Sequence, residues 1–120
     1  MSVKLNKLKY LVFLISLLCF SCMNFDCSKL AESYRVVECL IIVKNIPDNK
    51  SVYNFEILGK SLSTGRDTLY IEENRWFCKY YKNIEKGDTI IKRKGELVFS
   101  IHKKDTILNF NWECEGKVYK

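Results

Sequence analysis

From Tyr34 onward the apolar side chains tend to recur at every second position, which is the period of a strand with one buried face. Tyr53, Phe55 and Ile57 alternate with Asn54 and Glu56. Leu97, Phe99 and Ile101 share one face of a later run, and Thr106, Leu108, Phe110, Trp112 and Cys114 share one face of the last. Thr68 to Glu72 makes a shorter strand with Leu69 and Ile71 inward, Thr89 to Arg93 makes another, and ring-rich Trp76 to Tyr81 reads as extended. Val36 to Val43 differs. It is apolar on both faces, the pattern of a central strand covered on both sides. Turn clusters separate these runs: Asn45 to Lys50 with the only proline, Ser63 to Arg66, Glu73 to Arg75, Glu85 to Asp88, Lys94 to Glu96 and Lys103 to Asp105. About six to eight short strands spaced in this way predict an all-β fold, a small antiparallel meander forming a barrel or a sandwich.

The first residues carry another pattern. Lys4, Lys7 and Lys9 precede an apolar run from Tyr10 to Phe20 that only Ser16 interrupts, and Ser21-Cys22 follows. A charged start, an apolar middle and a small residue at the cut make an export signal, here a signal helix. At about 1.5 Å per residue the run reaches only about half of a ~30 Å hydrocarbon core, too short for a spanning helix. Cleavage after Ser21 would release a secreted chain, with Cys19 and Ser21 as the small residues that signal peptidase needs. Processing at Cys22 is the other outcome. Leu17-Leu18-Cys19-Phe20-Ser21-Cys22 resembles the lipobox of bacterial lipoproteins, in the looser Gram-negative form with leucine further back and serine next to the cysteine. That resemblance implies a diacylglycerol thioether on Cys22 and an acylated amino terminus, and two or more acyl chains suffice to hold a protein on a bilayer. The chain then divides into a signal peptide (1–21), a polar tether (22–33) with a helical turn opened by Ser28, and a single β domain (34–120). Its expected address is a bacterial cell envelope, on the outer membrane or periplasmic face, with membrane lipid as its partner through acylated Cys22.

Charge narrows the partners. The formal +6 falls to +3 once Lys4, Lys7 and Lys9 are removed with the signal, too mild a surplus to imply nucleic acid. Lys92-Arg93-Lys94 and Lys103-Lys104 read as basic residues that keep sheet edges soluble, with anionic headgroups or an acidic glycan as the alternative contact. Cys27, Cys39, Cys78 and Cys114 lie beyond the signal, and export permits disulfides. Four cysteines allow three full pairings. A Cys39–Cys114 bridge would close most of the domain; free buried thiols are the alternative.

No motif names a reaction. There is no Gly-Xaa-Ser-Xaa-Gly elbow, no phosphate-binding glycine loop and no His-Glu-Xaa-Xaa-His. The cysteine spacing and a single histidine, His102, do not make a zinc knuckle, so no metal and no cofactor is expected. Asp67-Thr68, Asp88-Thr89 and Asp105-Thr106 each follow a turn and precede an aliphatic residue. They read as three strand entries, and only convergence with His102 would make them catalytic. Trp76, Phe77, Tyr80 and Tyr81 are the candidate binding patch, since a strand cannot bury both faces unless it is covered twice. Glu85 to Lys92 superficially resembles the Gly-Asp hairpins of biotinyl–lipoyl-like barrels. The run Gly87-Asp88-Thr89-Ile90, Lys94-Gly95-Glu96, His102-Lys103-Lys104-Asp105-Thr106 and Cys114-Glu115-Gly116-Lys117 resembles small bacterial lipoproteins, a resemblance that brings no activity with it. The expectation is a non-catalytic, lipid-anchored binding or structural domain that meets an envelope protein or glycan. An inhibitor or immunity-type lipoprotein is the second reading and a small envelope hydrolase the third.

Overall fold

A computed structural model describes residues 26–120. The expected signal, Cys22 and the start of the expected tether lie outside the described residues. The chain forms α1 (Cys27–Arg35), β1 (Cys39–Asn45), β2 (Asn54–Ser61), β3 (Asp67–Glu73), α2 (Arg75–Cys78), a 3-10 turn (Tyr81–Asn83), β4 (Thr89–Lys92), β5 (Val98–His102), β6 (Ile107–Asn111), β7 (Glu113–Cys114) and β8 (Lys117–Val118). The fold is all-β and antiparallel. Six strands form one sheet in the order β3-β2-β1-β4-β5-β6, and β7 and β8 form a separate hairpin. The order has two ends, so the architecture is layered rather than closed.

Two three-strand meanders, β1–β3 and β4–β6, lie back to back through the β1–β4 pair. The passage from β3 at one edge to β4 in the middle carries α2 and the 3-10 turn. It lays Trp76, Phe77, Tyr81 and Ile84 into the core with Cys39, Ile41, Val43, Phe55, Ile57, Ile90, Phe99 and Ile101 of the sheet. Phe55 sits at the hub, with the rings of Tyr70, Phe77, Tyr81 and Phe99 5.1–6.1 Å from its own. Edge-on and offset ring pairs contribute beyond their buried area. Gly59 stands opposite Val43 beside a register shift in β1. A Cβ there would meet the Ile42 carbonyl and lie 2.8 Å from Ile41 Cγ1, so the close approach of β1 and β2 requires glycine.

Several expectations need correction. Trp76 to Tyr81 is helical, not extended, because Asn74 acts as an N-cap: its Oδ1 accepts the Phe77 N–H at 3.0 Å. The expected tether contributes Cys27–Ser33 to the domain, as part of a nine-residue helix capped by Asp26 rather than Ser28. Cys27 and Ala31 on that helix are buried in the core. β1 begins at Cys39 and buries only one face fully. β3 is turned over: Tyr70 faces inward, its hydroxyl donating to the Glu38 carbonyl at 3.0 Å, and Leu69 and Ile71 are left 50% and 59% exposed. The aromatic ring with a polar tip takes the half-covered position that an aliphatic residue could not satisfy.

Candidate functional site

The register decides which expected site residues meet. Thr89 pairs with His102, and His102 with Ile107, so the Asp88 and Asp105 turns flank the same end of β5. A groove of about 800 Å³ lies there, with Glu85, Asp88, His102, Lys103 and Asp105 on its walls. Asp67 is elsewhere. It sits on β3, four strands from His102, and pairs with Lys44 at 2.6 Å. At a strand spacing of about 4.8 Å that separates the two by roughly 19 Å. The three aspartates do not converge.

Asp88 is buried and paired. Its Oδ2 accepts the Glu85 N–H at 2.7 Å and the Lys103 ammonium at 2.6 Å, and its carbonyl accepts the Val43 N–H at 2.8 Å. Asp88 holds the Lys103 ammonium above the ordinary lysine range. The cluster closes a turn onto β1 and presents a neutralised ion pair, not a carboxylate poised beside a nucleophile. Among the described residues no group of three metal-ligating side chains occurs.

The aromatic patch is mostly core. Trp76, Phe77 and Tyr81 are 2%, 0% and 5% exposed, which removes them as a surface patch. Tyr81 has a structural task. β2 outruns β1 beyond Leu58, and there the Tyr81 hydroxyl accepts the Glu56 N–H at 2.7 Å and donates to the Asn54 carbonyl at 3.0 Å, standing in for a missing neighbour strand. Tyr80 is the half-buried member. Its hydroxyl accepts the Trp76 indole N–H at 2.9 Å, and its ring stacks on Phe110 at 4.2 Å. Trp76, Lys79 and Tyr80 line a groove of about 380 Å³ beside β6, with Asn109, Asn111 and Glu113 opposite.

Cys114 is bonded to Cys27, not to Cys39, with Cα atoms 5.8 Å apart. The inner face of α1 brings Cys27 to the C-terminal hairpin, whereas Cys39 points into the sheet core. Cys39 and Cys78 are free. Burial raises both thiols above their ordinary range, so neither is held as the thiolate that nucleophilic or redox chemistry needs.

One group was missed. Lys92, placed with the solvent-facing basic residues, is fully buried on β4. Its ammonium donates to the carbonyls of Tyr34 and Val37 at 2.6 Å and of Arg35 at 3.1 Å, capping the C-terminal end of α1. The signal was period two: Lys92 follows Ile90 by two residues and shares its inward face. Burial pulls this ammonium down to about 8, against the opposing pull of Glu96 and Glu38 and with the help of Arg35.

No family model, curated protein or solved structure matches the chain. Among the described residues no helix is long and apolar enough to cross a membrane.

Proposed function

We propose that this chain is an exported, lipid-anchored protein of a bacterial cell envelope, with a single β domain that binds or supports other envelope components and catalyses no reaction. The observation that carries this reading is the order Lys4, Lys7, Lys9, apolar Tyr10 to Phe20, then Ser21-Cys22. Two structural features support it. The Cys27–Cys114 bridge suits an oxidising compartment outside the cytosol. The engaged state of Asp88 and the distance of Asp67 weigh against an acid–base site.

The bridge also bounds the geometry. Four residues lie between Cys22 and the half-cystine at position 27, a five-residue step of at most about 18 Å. An acylated Cys22 therefore holds the domain close to the bilayer, with the start of α1 and the β7–β8 hairpin on the membrane side.

Metabolic labelling with an alkyne fatty acid tests the proposal. The wild-type chain is expected to take the label and partition with membranes, and Cys22→Ser to lose both. Label retained in Cys22→Ser, or a soluble unlabelled wild type, would overturn it.

A further inference from the structure

The two edge strands of the sheet differ in what they offer a further strand. The Lys103 N–H bonds the Thr106 carbonyl and the Trp112 N–H bonds the Leu97 carbonyl, which fixes the phase of the β5–β6 ladder. Ile107, Asn109 and Asn111 therefore direct their N–H and C=O groups away from β5, toward the groove that Trp76, Lys79 and Tyr80 wall. The strand reads Ile107-Leu108-Asn109-Phe110-Asn111: five residues without charge, proline or glycine. Edge strands are ordinarily blunted by just such residues.

β3 is guarded. The bonds Ser61 N–H to Arg66 C=O and Asn74 N–H to Tyr53 C=O set its phase, so its outward ladder groups belong to Asp67, Leu69, Ile71 and Glu73. Antiparallel self-pairing centred on Tyr70 would set Asp67 against Glu73 twice. Like charges directly opposite are destabilising. On β6 no antiparallel register within Ile107–Asn111 opposes two charges. The free charges beside its groove are of opposite sign: Lys79 and Glu113 form no ion pair among the described residues, and a two-fold pair can exchange them.

We propose that β6 is where two copies of this chain join, antiparallel and related by a two-fold axis, so that two six-strand sheets become one. The outward groups of Asn109 and Asn111 extend the ladder. The register is centred on Phe110, so Phe110 of each copy meets its counterpart on the inner face, continuing the stack of Tyr80 on Phe110. On the outer face Asn109 is held by Ser100, whose Oγ donates to its Oδ1 at 2.6 Å. The inference does not rest on lipidation.

Sedimentation equilibrium of the full chain in density-matched detergent tests it. The wild type is expected at dimer mass. Asn109→Pro removes an N–H that faces away from β5, so the variant is expected to fold with unchanged circular dichroism and to sediment as a monomer. Should the proline disturb folding, the pair Asn109→Lys and Asn111→Lys sets cations against each other across the axis and is expected to raise the dimer dissociation constant at least tenfold. Leu69→Lys, on the β3 edge, is expected to leave the dimer intact. A monomeric wild type at the highest soluble concentration would overturn the proposal, including the case in which β6 takes a foreign strand instead. So would a dimer that survives both β6 changes or is lost in Leu69→Lys.

Discussion

The two halves of the sheet's cover are fastened in different ways. One is local and apolar: α2 and the 3-10 turn follow β3 directly, and their rings pack on Phe55 of β2 and on Phe99 of β5. The other, α1, is fastened by covalent and polar links. α1 is bridged to the C-terminal hairpin at its first residue by Cys27–Cys114. At its last turn it is gripped by the Lys92 ammonium, while Arg35 reaches the carbonyls of Gly95 at 3.3 Å and Lys120 at 2.6 Å. Ring packing is indifferent to redox state and pH. A disulfide and a desolvated cation are not. The same fold therefore carries one half whose stability is fixed by shape and another whose stability follows its surroundings, as suits a domain expected to fold after export.

The largest expected effect tests the apolar half. Phe55→Ala removes the hub ring and is expected to destabilise the domain by about 3–5 kcal/mol. Urea unfolding should give the same loss with and without reductant; a loss that grew on reduction would join the two halves that the comparison separates. Next is Cys114→Ser, which opens a bridge between residues 87 apart. The expected loss is about 3–4 kcal/mol, equal to what reductant alone does to the wild type. A wild type indifferent to reductant would contradict the account of the α1 half. Gly59→Ala, at the closest approach of β1 and β2, is expected to cost about 1–3 kcal/mol by thermal unfolding, through overpacking against Ile41 and the Ile42 carbonyl.

Lys92→Met is expected to have a smaller net effect, about 1–2 kcal/mol. The carbonyls of Tyr34, Arg35 and Val37 lose their shared donor, and the relief of a buried charge offsets part of that. Its pH signature is sharper than its size. With the folded-state value near 8 and the ordinary value at 10.5, the folded chain sheds this proton first as pH rises, so the unfolded chain binds more protons and stability increases from pH 8 upward. From about pH 8 the thiols oppose this trend, because Cys39 and Cys78 stay protonated in the folded chain and ionise in the unfolded one. Between pH 8 and pH 9 the urea midpoint should therefore hold or rise in the wild type and fall in Lys92→Met. The same change in both would remove Lys92 as its source.

Much of the sheet was legible in the sequence because alternation is a local signal. Phe55 and Ile57, and Phe99 and Ile101, lie inward where their spacing places them. The failures are where a polar group settled the matter over a distance. Tyr70 turned β3 over because its hydroxyl finds Glu38, 32 residues away, which spacing within the strand does not reveal. Asn74 carries two meanings, turn residue and helix cap, and only the rings packing beneath α2 favour the second. The partner of Cys114 depends on where α1 docks. Three pairings were open, and sequence spacing holds no information on that docking. Lys92 was the recoverable miss, since its period with Ile90 was visible.

The intact mass of the protein isolated from the cells that make it tests the central claim most directly. A chain that begins at Cys22, carries the mass of a diacylglyceryl group and an amino-terminal acyl chain, and gains two hydrogens on reduction with a tryptic link between Cys27 and Cys114 is the predicted result. A chain that begins elsewhere, or at Cys22 without lipid mass, would contradict the anchor, and one whose mass does not change on reduction would contradict the bridge that sets the domain beside it.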